Sequence, residues 1–164
     1  MALKADRYEL QTDISFFYKE AVSRGGVVVH DSTTASGAAM DQGVNLVKYK
    51  AAAATDVPVG ILLNDVVNKD LTRTHLNQHK DEVQLGGKVT ILRKGYVVTN
   101  MVLGTPNVGD VAYAAGTGES AGYIVNGTLS AAASGALGIG RFMTDLDEDG
   151  YCKIEINLPY GHAS

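Results

Sequence analysis

A short motif occurs twice in this chain of 164 residues. Residues 59–65 are VGILLND and residues 139–145 are IGRFMTD, so both copies place glycine after a β-branched residue and end on a polar residue and aspartate. The two glycines, Gly60 and Gly140, are separated by about half the chain. A repeated strand-like segment is typical of one structural unit copied and packed against itself. No catalytic motif lies inside the repeat, which therefore predicts a scaffold with pseudo-repeated halves.

The composition predicts a mainly β protein. The chain has 19 glycines, 3 prolines and no tryptophan, and its valines and alanines form short runs between glycine turns. Such a pattern is typical of short strands joined by tight turns. We therefore expect a small β-barrel or sandwich domain.

Two hairpins are predicted with particular residues. Lys94-Gly95 predicts a turn between strands over 88–93 and 96–99, because glycine supplies the positive φ that such a turn needs. A second hairpin joins residues 141–146 to 151–158 through the acidic turn 147–150. In its second strand alternate residues are apolar and should face the core; they are Cys152, Ile154, Ile156 and Leu158.

The first 24 residues differ from the rest, and we divide the chain into an N-terminal arm (1–24) and a β domain (25–164). Tyr8, Leu10 and Ile14 alternate with polar residues, which favours an extended strand or arm. A short helix from Ser15 to Gly25 is the alternative, with these residues as its caps. We expect the β domain to fold without residues 1–18.

An aromatic cluster lies within this arm. Phe16, Phe17 and Tyr18 include two of the three phenylalanines. So much aromatic area must dock either on the core of the domain or on a neighbouring subunit.

Composition argues against several classes of protein. Acidic residues outnumber basic ones, giving a net charge of −4, so nucleic acid is not an expected partner. The single cysteine, Cys152, excludes a disulfide framework. No apolar run reaches the roughly 18 residues that a membrane span needs. Residues 1–7 contain no signal-peptide core, which predicts synthesis in the cytoplasm.

Metal and catalytic motifs are weak, so we predict no cofactor, no metal and no enzymatic activity. Asp145, Asp147 and Asp149 match the first half of a calcium loop, but its twelfth position is Ile156 instead of a bidentate carboxylate. An acidic hairpin turn is the favoured interpretation. His75 and His79 are four residues apart without a further ligand at motif spacing, which favours a polar loop or interface over zinc.

Several segments resemble the capsid decoration, or cement, proteins of tailed bacteriophages. They are residues 7–9 (RYE), 12–17 (TDISFF), 25–28 (GGVV), 58–67 (PVGILLNDVV), 71–73 (LTR), 75–83 (HLNQHKDEV), 86–89 (GGKV) and 147–151 (DEDGY). The resemblance implies a compact β domain, often trimeric, that sits on the outer capsid surface of the virion. It also implies an arm lying along that surface and bridges between neighbouring subunits of the major capsid protein.

The resulting candidates for the capsid or partner interface are Tyr8, Leu10, Ile14, Phe16, Phe17, Tyr18, Arg73, His75 and His79. The alternative function is a β-rich ligand-binding module of the virion, in a head fibre or tail, that recognises host glycans or receptors. Exposed tyrosine and asparagine side chains on loops would serve that role.

Overall fold

The computed structural model describes residues 3–4, 6–18, 22–31, 45–49, 57–65, 82–83, 87–115, 121–126 and 138–158. All regular secondary structure in these ranges is β, which confirms the predicted class. The helix considered for residues 15–25 is wrong, since Tyr18 ends a strand and Val22 begins the next. The strands are β1 (Tyr8–Tyr18), β2 (Val22–Ser23), β3 (Val27–His30), β4 (Leu46–Tyr49), β5 (Pro58–Asp65), β6 (Glu82–Val83), β7 (Lys88–Thr99), β8 (Val102–Leu103), β9 (Val111–Ala114), β10 (Ile124–Val125), β11 (Gly138–Phe142) and β12 (Cys152–Asn157).

Ten of these strands form one sheet. Their order is β1-β4-β3-β5-β7-β12-β11-β9-β10-β8, and β2 and β6 pair separately. Because β1 also pairs with β7, the pairings β1-β4-β3-β5-β7 form a closed circuit of five strands. Strand β7 belongs to this circuit and also pairs with β12, so it links the two parts of the sheet.

The predicted hairpin at Lys94-Gly95 is wrong, because β7 runs through both residues as one continuous strand. Gly95 does have a positive φ, of 139°. However, it lies opposite Ile156 on one side and Glu9 on the other, so both edges of the strand are already paired there. The register of β1 against β7 shifts next to this position, with one extra residue on β1 between Glu9 and Gln11, which is typical of a β-bulge. Strand β7 therefore continues through the glycine, paired on both edges.

The core consists of two clusters of buried apolar side chains. The first is centred on the β11–β12 hairpin and includes Phe142 and Ile154, and the second includes Tyr18 and Ile91. Strand β5 contributes to both clusters, since Ile61 packs into the first and its neighbour Leu62 into the second. Both faces of β5 are thus buried, which explains the uninterrupted apolar run in the first copy of the repeat.

The second copy of the repeat has a different environment. Phe142 is buried, whereas its neighbours Arg141 and Met143 are exposed, so this end of the strand has one core face and one solvent face. Ile139 is also buried and lies at a register shift between Gly138 and Gly140. The two copies share a strand conformation and a glycine in tight contact with the neighbouring strand. Whether they are pseudo-repeated halves stays a prediction.

The C-terminal hairpin forms around the predicted turn, but its first strand, β11, covers Gly138–Phe142 and not the predicted 141–146. β11 and β12 pair antiparallel with Gly140 opposite Ile156, and the turn closes with a backbone hydrogen bond from Asp147 N–H to the Tyr151 carbonyl (2.8 Å). Gly150 has a φ of 77°, which favours glycine at this turn position. Four alternate side chains are buried as predicted, three in β12 and one just after it; they are Cys152, Ile154, Ile156 and Leu158.

Candidate functional site

A row of five directly opposed residues crosses the outer face of five neighbouring strands. Tyr8 of β1 pairs with Tyr96 of β7, which pairs with Glu155 of β12. Glu155 in turn pairs with Arg141 of β11, and Arg141 with Val111 of β9. All five residues retain solvent exposure. Residues paired in this way share one face of a sheet, so the row defines a single outer surface.

A second row beside the first consists mostly of residues with little or no side chain. Each residue of this row lies opposite the next across the neighbouring strands β7, β12, β11 and β9; in that order they are Gly95, Ile156, Gly140 and Ala112. A Cβ at Gly140 would overlap the carbonyl oxygen of Glu155, and one at Gly95 would overlap the carbonyl oxygen of Tyr8. The strands can therefore approach this closely only because both positions are glycine.

Two grooves lie along the first row, and each includes one of these glycines in its lining. The first groove has a volume of about 440 Å³, with Gly95 and Ile156 among the residues that line it. Three large apolar side chains on its walls are exposed: Leu10 is 66% exposed, Tyr8 53% and Met143 47%. The Tyr8 and Tyr96 rings are stacked with their centroids 5.9 Å apart. Apolar side chains gathered in one exposed groove are characteristic of a protein–protein contact surface.

A second groove of about 300 Å³ adjoins the first. Val111, Gly138, Gly140 and Arg141 line it, and it shares Glu155 and Asn157 with the first groove. We refer to the residues that line the two grooves as the grooved face.

Charge on the grooved face is unlike that of the whole chain. Its lining contains three cationic side chains, Lys94, Lys153 and Arg141, and one anionic side chain, Glu155. The Lys153 ammonium lies 3.7 Å from the centroid of the Tyr96 ring, in a cation–π contact. The Arg141 guanidinium donates to the Gly109 carbonyl at 3.1 Å. The lining is thus locally positive on a chain whose net charge is −4.

The predicted interface residues of the arm separate into two groups. Tyr8 and Leu10 lie on the grooved face, and Ile14 is 51% exposed further along the same strand. Phe16 and Tyr18, at the other end of β1, belong to the second core cluster. Phe16 packs edge-on against His30, Tyr18 packs edge-on against Tyr49, and Phe17 is half-buried. Arg73, His75 and His79 lie outside the described residues, and their role at an interface stays a prediction.

Other residues of the grooved face were not among the sequence candidates. Met143, Tyr96, Lys94 and Arg141 join it through the register of β7, β11 and β12. Period-two alternation predicts the outward direction of Lys153, Glu155 and Asn157, but it does not say which strands lie beside β12. The cross-strand register was the missing information.

Two of the three aspartates in the calcium-like sequence accept hydrogen bonds from backbone N–H groups. Asp147 accepts hydrogen bonds from the Asp149 and Tyr151 N–H groups and forms an ion pair with Lys4 at 2.7 Å. The Lys4 hydrogen bond is the main reason why the pKa of Asp147 lies below its ordinary value. Asp145 accepts instead from the Val108 N–H at 3.0 Å. Among the described residues, no group of three or more His, Cys, Asp or Glu side chains converges as a metal site would require.

The single cysteine has the surroundings of a core residue. Cys152 is 1% exposed, and its thiol donates to the Thr144 carbonyl at 2.8 Å. Burial is the main cause that raises its pKa. A thiol held in its protonated form is a weak nucleophile, so the geometry favours a packing role.

These features define a class of protein: an all-β module, in its described part, whose most distinctive surface is an apolar groove with cationic walls. A family model described as Structural cement protein (E217 gp24/Pam3 gp6) matches residues 13–157. The chain therefore belongs to the phage structural cement protein family. It is a structural, capsid-stabilising component of the phage virion.

No curated protein matches the chain. In the ranges that the structure describes there is no helix, and hence none long and apolar enough to span a membrane.

Proposed function

We propose that the protein binds the outer surface of the phage shell and cross-links neighbouring subunits of the major capsid protein through the grooved face. The observation that supports this most strongly is the grouping of Tyr8, Leu10 and Met143 in one exposed groove of a cement-family chain. Fully burying one such side chain contributes about 1.5–3 kcal/mol, so a groove that closes on a partner can carry much of a binding energy.

Cross-linking requires contacts with more than one subunit. The two adjoining grooves give one copy two places to contact the shell, and the half of β1 from Tyr8 to Ile14 gives an exposed extension of the same surface. Arg73, His75 and His79 are proposed as a further contact region. We also propose that the protein acts as a homotrimer, because several weak contacts made by linked copies add through multivalency.

The fold supports this role by holding the grooved face rigid. We propose that the circuit β1-β4-β3-β5-β7 is a small closed barrel on which the exposed half of the N-terminal arm is fixed. A surface that is fixed before binding loses less conformational entropy when it docks.

Binding to shells tests the proposal with a matched pair of variants. Leu10→Ser and Val57→Ser both remove an apolar side chain that is about two-thirds exposed (66% and 60%), but Val57 lines neither groove. We expect Leu10→Ser to weaken co-sedimentation with empty expanded shells by about tenfold, which corresponds to about 1.4 kcal/mol. Val57→Ser should bind as the unmodified protein does.

Equal binding by both variants would contradict a role for the grooved face. Binding of the unmodified protein to host glycans or cell surfaces, without binding to shells, would instead support the ligand-binding alternative.

A further inference from the structure

Two cations of the first groove, Lys94 and Lys153, accompany its apolar surface. Lys94 lies opposite Asn157, Tyr96 opposite Glu155, and Val98 opposite Lys153. The backbone positions of the two lysines are thus separated along the strands by four residues, or roughly 13 Å at about 3.3 Å per residue. Tyr96 stands between them, and the Lys153 ammonium lies over its ring. One groove therefore presents an apolar surface with the Lys94 charge near one end and the Lys153 charge beside Tyr96.

We infer that the segment of the shell that docks in this groove combines an apolar side chain with a carboxylate beside it. The inference rests on the proposed function and specifies the chemistry of the partner. The apolar side chain would contact Tyr8, Leu10 and Met143, and the carboxylate would face Lys94.

Charge complementarity carries the argument. Lys94 forms no ion pair with the residues that the structure describes, and the Lys153 ammonium contacts a ring in place of a carboxylate. Glu155 is the only acidic residue in the lining and lies between the lysines in register, where it would repel a carboxylate placed at the centre. The face therefore favours an acidic group at the Lys94 end of the groove and an apolar group beside it.

Salt dependence offers a further expectation. Contacts between partly exposed charges are screened over about 8 Å at physiological ionic strength, whereas apolar contacts are not. Shell binding should therefore weaken as salt rises but should not vanish.

The test compares Lys94→Glu with Lys88→Glu in binding to empty expanded shells at low and high salt. Lys88 is an exposed residue of the same strand and lines neither groove. We expect Lys94→Glu to weaken binding by at least about fivefold at low salt and to flatten the salt dependence, with Lys88→Glu close to the unmodified protein. Circular dichroism on both variants confirms that the fold is retained.

The outcomes separate this inference from the proposed function. If Leu10→Ser abolishes binding while Lys94→Glu binds as well as or better than Lys88→Glu, the grooved face docks but the acidic partner is wrong. If the unmodified protein does not bind shells at all, the proposed function fails, and the inference fails with it.

Discussion

Gly95 lies directly opposite Ile156 across β7 and β12, and Gly140 occupies the matching position on the far side of Ile156. A buried isoleucine is thus enclosed between two strands that each lack a side chain at the point of contact. The same two glycines line the grooves, one in each. The close packing of these strands and the candidate binding surface therefore meet at these two positions.

Substitution of Gly140 by alanine should be strongly destabilising. A Cβ there would lie 2.8 Å from the Glu155 carbonyl carbon and nearer still to its oxygen, and backbone atoms cannot move aside without disturbing the β11–β12 pairing. We expect a loss of about 2 kcal/mol or more in the free energy of unfolding, measured by urea denaturation.

Gly138→Ala is the matched control in the same strand. Its Cβ would meet the nearest atom, Val111 Cγ1, at 3.4 Å, which is ordinary van der Waals contact. This variant should stay within about 0.5 kcal/mol of the unmodified protein. Equal effects at the two positions would mean that the close approach at Gly140 does not limit the fold.

Replacement of Ile156 by aspartate should destabilise the fold by about 3 kcal/mol or more, because it leaves a cavity and buries an unpaired charge. Ile156 is 1% exposed, whereas the next residue, Asn157, is exposed. Asn157→Asp introduces the same side chain on the solvent face and should be nearly neutral. Thermal melts of the two variants measure the difference, and similar melting temperatures would contradict the assigned facing of β12.

Tyr18 and Tyr8 are the same residue type at opposite ends of β1, with exposures of 0% and 53%. We expect Tyr18→Ala to cost about 3–5 kcal/mol in the free energy of unfolding and Tyr8→Ala to cost less than about 1 kcal/mol. In a shell-binding assay Tyr8→Ala should nevertheless be defective. A stable Tyr18→Ala variant would show that this end of the arm is dispensable for the core.

The burial of Tyr18 predicts that the β domain does not fold without residues 1–18. The sequence alone had led to the opposite expectation. Deleting these residues removes Phe16 and Tyr18 from the second core cluster. It also removes β1, which pairs with β7 from Lys88 to Tyr96. We expect the truncated chain to lose its cooperative thermal transition. A cooperative transition in the truncated chain would support an arm that is separate from the domain.

Stability should fall in acid, partly through Asp110. Its carboxylate accepts hydrogen bonds from the Asn107 N–H and from the buried Asn126 amide, both at 3.0 Å, which holds the pKa of Asp110 below its ordinary value of 3.8. Because the pKa is lower in the folded state, this stabilisation is present above pH 3.8 and is lost as the pH falls through the folded-state pKa.

Melting temperatures of Asp110→Asn and of the control Glu148→Gln between pH 7 and pH 2.5 test this linkage. We expect Asp110→Asn to be less stable at pH 7 and to lose less stability in acid, while the exposed Glu148 has little influence on either. An unchanged acid response in Asp110→Asn would contradict the assigned role of the carboxylate.

The sequence was sufficient where local chemistry decides the structure. The alternation along β12 and the glycine at position 150 correctly predicted the turn and the second strand of the C-terminal hairpin, because neighbouring residues set both. Lys94-Gly95 has the same local chemistry and led to the wrong prediction. There β1 and β12 pair with the strand on both sides of the glycine, and the chain continues through it.

The candidate site was predictable only in part for the same reason. Tyr8 and Leu10 stood out as apolar residues alternating near the start of the chain, and they do lie in the first groove. Tyr96 comes beside Tyr8 through the pairing of β1 with β7, and Met143 follows β11 and donates its N–H to the Lys153 carbonyl of β12. Single-sequence periodicity carries no information about such pairings.

Size-exclusion chromatography with light scattering, on the purified chain with and without empty expanded phage shells, tests the capsid-binding proposal most directly. Co-elution with the shells at a fixed number of copies is the predicted result, and the mass of the free species reports whether three chains associate. A free species that never co-elutes with shells, at any ratio of protein to shell, would contradict the proposal.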